Sequence, residues 1–186
     1  QITEMLLDAM NRGTLTAVIC RAPEFYGPGI TQSFTNTTII EPLLNAKPAK
    51  VFLRDDVKRS LIYTPDASRA MALIGNTPDA YGQTWHLPCD DNRLTYKQFI
   101  SLAAETFGAQ PTYRVIKHWQ LRLAGLFNRT VRDAAELLPR YGEDNIFVSD
   151  KFKARFPEFQ FTRFEQGLKH ILRERQQKQS AEPKQA

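Results

Sequence analysis

The residues able to do chemistry in this sequence are few and scattered. Histidines stand at 86, 118 and 170, and no HExxH places two of them on one metal. Cys20 and Cys89 lie 69 positions apart with no CxxC, so neither a disulfide nor a metal site is expected. The apolar setting of Cys20 suits a buried thiol. Asp55-Asp56 and Asp90-Asp91 read as loop acids, not as a general acid and base. There is no GxGxxG, no phosphate-binding P-loop and no GxSxG. Composition and spacing alone give no complete catalytic set. What remains is the loop Arg21–Gly29, "RAPEFYGPG", which leaves the apolar run Leu15–Cys20. Ligands of open α/β sheets bind beyond the carboxyl ends of strands. The same loop also reads as a stiff connector, because Pro23 and Pro28 fix φ while Gly27 and Gly29 permit tight turns.

The elements that must position this loop follow from periodicity. Ile2, Met5, Leu6, Ala9 and Met10 predict a helix over 2–12, stopped by Gly13. "LTAVIC" (15–20) is continuously apolar, which predicts a strand covered on both faces in a parallel sheet. Residues 33–46 have helical spacing interrupted at Pro42. "KVFLR" (50–54) and "RSLIY" (59–63) predict strands. "TPDASRAMALIG" (64–75) predicts a helix with Thr64 as cap, Pro65 in the first turn and Asp66 at the positive end. "QTWHLP" (83–88) alternates as a strand. Thr95 and Gln98 form a capping box for a helix over 96–107 that ends at Gly108. "TYRVIK" (112–117) is another strand, and 118–128 and 130–138 are two helices. "IFVSD" (146–150) is a short strand or extended piece, and Thr162 with Glu165 opens a last helix over 162–175. Alternating strands and helices, with extra helices late in the chain, predict an α/β fold with a smaller α-rich lobe.

At 186 residues, 42% hydrophobic and 24% charged, the chain is one domain or part of one. No apolar run approaches the roughly 18–20 residues of a membrane span, so no membrane partner is expected. The net charge is +5, and part of it sits in residues 173–186, read as a disordered basic tail. Aromatics are not interleaved with those basic residues, so no nucleic-acid partner is expected. Two unpaired cysteines fit a reducing cytoplasm. The sequence opens at Gln1 inside a predicted helix, as a piece of a longer protein would.

"RAPEFYGPG" resembles the loop after the sixth strand of extended short-chain dehydrogenases/reductases, the NAD-dependent epimerase/dehydratase family, whose usual form is Arg-Pro-x-Asn-x-Tyr-Gly-Pro-Gly. "RSLIYTPDASRA" (59–70) is similar to that family's Arg-Asp-(Tyr/Phe)-Ile-(His/Tyr)-Val-x-Asp-(Leu/Val)-Ala-x-Ala. Residues 81–108 resemble its strand, polar turn, Thr cap and helix, and "PEFQFTRFEQGLKHIL" (157–172) its usual ending. The four segments keep the family's order from residue 1 to about 172.

The resemblance implies the C-terminal portion of a doubly wound Rossmann-type parallel sheet plus a small substrate-binding lobe. The glycine-rich loop and the catalytic Tyr-x-x-x-Lys would precede Gln1, so no catalytic residue is assigned and the chain alone is expected to be inactive. NAD or NADP would be bound mainly by that absent half, with Ala22 and Pro23 beside the nicotinamide. Glu24 stands where the family has a substrate-facing asparagine, and an acid there suits a hydroxyl or amine better than an anion. Arg59 matches an arginine that often grips a phosphate or carboxylate, although a surface arginine before a strand is the plainer reading. Tyr63 matches a His/Tyr position and serves packing or substrate contact. The implied whole is an epimerase, dehydratase or reductase acting on a C–OH/C=O of a sugar-nucleotide or other small substrate. The alternative is a non-catalytic dinucleotide-binding sensor or scaffold. The expected partners are a small-molecule substrate and either the absent half or a second copy.

Overall fold

The structure, a computed structural model, describes residues 2–29, 33–128, 132 and 139–181. Helix α1 (Ile2–Asn11) leads to strand β1 (Ile19–Arg21), and β2 (Glu24–Tyr26) follows after two residues. A π-helical turn (Asn36–Ile40) runs into α2 (Glu41–Leu44). Next come β3 (Ala49–Phe52), β4 (Leu61–Tyr63), α3 (Thr64–Gly75), β5 (Thr84–His86), α4 (Tyr96–Phe107) and β6 (Tyr113–Ile116). Three helices complete the described chain: α5 (His118–Phe127), α6 (Asp150–Arg155) and α7 (Phe164–Ala181). The strands pair in parallel as β1 with β5, β2 with β4 and β3 with β6. Parallel pairing requires a crossover between partners, and the intervening helices supply it.

Two apolar clusters hold these pairs. Tyr26, Phe99, Phe164 and Leu168 centre the larger one, between β2, β4, α4 and α7. Ile62, Ile74, Trp85 and Phe152 centre the smaller one, between β4, α3, β5 and α6. Strand β4 is therefore the one buried on both faces: Leu61 and Tyr63 face one cluster and Ile62 the other. The doubly covered strand expected at 15–20 is shorter, at 19–21, and only half-buried. β1 pairs with β5 along one edge, no described strand lies on its other edge, and Leu15 is exposed. Cys20 is accordingly half-buried, not buried.

Several local expectations hold. Helix α4 has the full Thr95–Gln98 capping box and ends at Gly108 with φ 65°. The interruption at Pro42 takes the form of the π turn just before it: proline has no N–H to donate, and the wider turn re-spaces the backbone bonds there. Other expectations are corrected. The Thr64 hydroxyl donates to the Tyr26 carbonyl at 3.0 Å, so it ties β2 to α3 and does not cap the helix. Of the two readings of 146–150, strand or extended piece, residues 146–149 form no strand, and α6 takes residue 150 and follows unforeseen. The last helix starts at Phe164, because the Thr162 hydroxyl and N–H are both taken by Asp66. Residues 173–181 belong to α7, not to a disordered tail. The helix expected at 130–138 lies outside the described residues, apart from Arg132.

Candidate functional site

The loop that links β1 to β2 is only Ala22-Pro23, so both strands deliver their residues to one place. Tyr26, the tyrosine of "FYGPG", turns inward. Its ring sits 5.5–5.7 Å from those of Tyr63, Phe99 and Phe164. Gly167 on α7 lets it in, since a Cβ there would lie 2.7 Å from the Tyr26 hydroxyl oxygen. The Asn36 amide clasps the next residue from both sides. Its Oδ1 accepts the Gly27 N–H at 3.1 Å and its Nδ2 donates to the Gly27 carbonyl at 2.7 Å. The stiff, mixed loop is thus an anchored wall: its second half is core and its first half faces a cleft.

That cleft, about 470 Å³, is lined by Ala22, Pro23, Glu24, Phe25, Ser33 and Phe34 from the loop side. Arg59, Arg140, Asn145 and Phe147 close it from the other. Four of the five sequence-derived positions therefore meet here. Tyr63 does not: it is buried against α7, with its hydroxyl 3.2 Å from His170 Nδ1. Its substrate assignment has no support in this placement, because the alternation of β4 turns it into the larger core.

Glu24 and Arg59 are partners. Arg59 Nη2 lies 3.4 Å from Glu24 Oε2, with the side chains 2% and 9% exposed. Tyr96 donates to the same Glu24 oxygen at 2.8 Å, and the Thr35 hydroxyl donates to the other at 2.5 Å. Arg59 Nη1 donates to the Arg140 carbonyl at 2.6 Å. The guanidinium carbon stands 4.7 Å from the Tyr141 ring centroid and 5.6 Å from that of Tyr96. Burial and the charge of Glu24 push both tyrosine hydroxyls up. Near neutral pH they are protonated, so they donate and orient but do not act as bases. The acid expected to meet a substrate hydroxyl already accepts three hydrogen bonds from its own chain, and the cation expected to grip an anion is paired with that acid. Arg140 is different. It is exposed at the cleft rim, and among the described residues its Nη2 bonds a neutral hydroxyl, Tyr141, at 3.1 Å.

Sequence reasoning missed Thr35, Tyr96, Arg140 and Tyr141. Tyr96 was visible only as the residue after a cap, Thr35 only as a polar position within the helical spacing of 33–46, and Arg140 and Tyr141 sit in a stretch without periodicity. The acids at 90 and 91 lie in a loop as expected, but the role of Asp90 there was not legible. Asp90 is buried and accepts from Arg163 Nη1 at 3.0 Å and the Phe164 N–H at 3.3 Å, which fixes the start of α7. Among the described residues, no group of three His, Cys, Asp or Glu is placed to hold a metal.

No protein-family model matches this sequence, and no curated protein does. Solved structures do. The dTDP-glucose 4,6-dehydratase of Bacillus anthracis, in complex with NAD, matches 96% of this chain over 50% of its own, at 13% identity and a TM-score of 0.69. The UDP-glucuronic acid 4-epimerase of Bacillus cereus, in complex with UDP-glucuronic acid and NAD, matches 94% over 50%, at 18% identity and 0.68. A human epimerase family protein with NADPH matches 84% over 48%, at 11% identity and 0.62. The fold is that of these epimerase and dehydratase structures. The chain spans about half their length, so the α/β reading and the partial Rossmann-type sheet stand. Ala22 and Pro23 hold the cleft wall just beyond the carboxyl end of β1. They bring small, uncharged surfaces to the cleft wall, suited to a flat carboxamide ring and unsuited to a pyrophosphate.

Proposed function

We propose that this chain is the substrate-side half of a nicotinamide-dependent enzyme that works on a C–OH/C=O of a sugar-nucleotide or other small substrate. One observation carries the reading. In a fold shared with NAD-bound epimerases and dehydratases, the cleft opens at the carboxyl end of β1, where α/β sheets bind ligands. The nicotinamide, when bound, supplies hydride transfer. This chain contributes the wall beside the ring through Ala22 and Pro23, and a rigid, charge-balanced floor through Glu24, Arg59, Tyr96 and Tyr141. Arg140 offers the rim a cation for an anionic substrate group. The general acid/base and most of the dinucleotide site come from a partner α/β half that covers α1 and extends the sheet at the free edge of β1.

The test supplies this chain together with the proposed partner α/β half, and measures NAD(H) and NADP(H) binding and turnover on nucleotide-sugar and neutral carbonyl panels. Nicotinamide binding with turnover that needs both pieces is expected. Absence of nicotinamide binding by the joined protein overturns the proposal. Binding without turnover on any substrate replaces it with the sensor reading.

A further inference from the structure

Helix α5 carries two apolar faces. Leu121 and Gly125 are buried, and they lie on one side at helical spacing. On the opposite side Trp119, Leu123, Leu126 and Phe127 are 65%, 53%, 75% and 88% exposed. At 100° per residue these four span a stripe about 100° wide, centred almost opposite the buried pair. Four large apolar side chains together in solvent mark an interaction surface, not chance exposure.

The charge around the stripe tells what covers it. From Thr106 to Arg132 the sequence has five Lys/Arg and no Asp or Glu. Arg114, Lys117 and Arg122 are exposed. Arg114 and Arg122 make no ion pair with a described acidic residue, and Arg114 stands directly across the strand pair from Lys50, like charge against like. Such a cross-strand pair costs stability, and a negative surface laid on it would relieve the repulsion. A second copy seated on the stripe about a two-fold axis would bring the same basic segment against itself, which disfavours that occupant. Trp and Phe beside Arg on a helix lying flat are the composition of a helix that beds into an anionic lipid interface.

We propose that α5 is a peripheral docking surface for anionic membrane lipid, with Trp119, Leu123, Leu126 and Phe127 entering the acyl boundary and Arg114, Lys117 and Arg122 meeting the headgroups. Among the described residues no helix is long and apolar enough to cross a membrane. The surface therefore revises the expectation of no membrane partner to one of contact without spanning. It stands apart from the nicotinamide reading, because no residue of α5 lines the cleft.

The experiment is co-sedimentation of the 186-residue chain with vesicles of phosphatidylglycerol and phosphatidylcholine in equal parts, against vesicles of phosphatidylcholine alone. Partition onto the anionic vesicles is expected to be at least tenfold stronger and to fall severalfold between 0.1 and 0.5 M salt, as screening requires. Trp85 is buried, so a blue shift of tryptophan emission on binding reports Trp119. The double variant Trp119→Ser/Phe127→Ser should lose at least tenfold in partition, and Arg122→Glu severalfold, with thermal melts like the parent's because all three side chains are exposed. If the double variant does not melt like the parent, Leu126→Ser replaces it. No binding, equal binding to both vesicle types, or binding that survives loss of the stripe overturns the proposal. Self-association abolished by the same substitutions, without vesicle binding, assigns the stripe to a second copy instead.

Discussion

Helices α1 and α4 are alike in sequence pattern and opposite in fate. Both place apolar residues at helical spacing, and both end at a glycine with positive φ, Gly13 and Gly108. In α4, Tyr96, Phe99, Ile100, Ala103 and Ala104 are buried, and α7 packs across them. In α1 no residue is buried, and Ile2 and Met5 are 76% and 71% exposed. Periodicity tells which face of a helix needs covering. It does not tell whether the cover belongs to the same chain. The closed side of this molecule, around Tyr26, Phe99 and Phe164, is self-sufficient. The open side, α1 and the free edge of β1, has its apolar face uncovered among the described residues.

Hydrogen exchange should separate the two sides most widely. A ten-residue helix without tertiary packing is marginal in water, so the amides of α1 should exchange with little protection in this chain, while those of α4 should open only with global unfolding. Protection of α1 equal to that of α4 in a monomer would erase the distinction. Substitution should show the same contrast. Phe99→Ala should cost about 3–5 kcal/mol, the usual range for a fully buried aromatic. Met5→Ala should stay within about 0.5 kcal/mol, as exposed sites do. Urea melts of the two variants check this, and adding the partner half should make Met5→Ala costly while leaving Phe99→Ala as it was.

A step smaller is Arg59→Met, on the border between core and cleft. It leaves the Glu24 carboxylate buried without its counter-charge, although Thr35 and Tyr96 still donate to it. Removing one member of a buried pair costs about 3–5 kcal/mol, and those two donors set the expectation near the lower end. A double-mutant cycle with Glu24→Gln should return part of that loss. A cycle with no coupling would show that the 3.4 Å pair is not energetically one unit.

How far the sequence revealed all this depended on the range of the interactions. The α4 cap, its glycine stop and the α3 boundaries were legible because they are settled within four residues. The loop Arg21–Gly29 was legible as a loop, yet its partition into core and wall was not. Tyr26 is placed by Gly167, about 140 positions away, through a missing Cβ that no local pattern signals. Glu24 and Arg59 each had a candidate role, but their pairing with each other across 35 residues was not legible. Asp66 is the helix-end acid it looked like, and it is also the clasp for Thr162, which no local pattern signals. Strand 15–20 was read as doubly buried from its composition alone. That composition answers to a cover the described chain does not contain.

The finest probe of the closed side is Tyr113 at the start of β6. Its hydroxyl donates to Asp55 Oδ2 at 2.7 Å, tying the strand to the loop beyond its partner β3. The hydrogen bond to Asp55, with burial and the Asp55 charge behind it, pushes the Tyr113 hydroxyl up to about 12. An unfolded tyrosine titrates near 10. The folded state therefore holds this proton more tightly than the unfolded one. The resulting stabilisation is complete below about pH 10 and disappears as the pH rises through about 12. Tyr113→Phe should accordingly cost little, about 1 kcal/mol or less for a solvent-accessible hydrogen bond to a charge, and the cost should vanish in the alkaline range. Burial pushes the hydroxyls of Tyr26, Tyr63, Tyr96 and Tyr141 up as well, so the parent should also lose stability above pH 10. The informative quantity is the difference between parent and Tyr113→Phe melting temperatures at pH 8 and at the highest pH where both still fold. A difference that grows with pH would mean that the Tyr113 proton is held less tightly in the folded chain than in the unfolded one, and that the tie to Asp55 does not form.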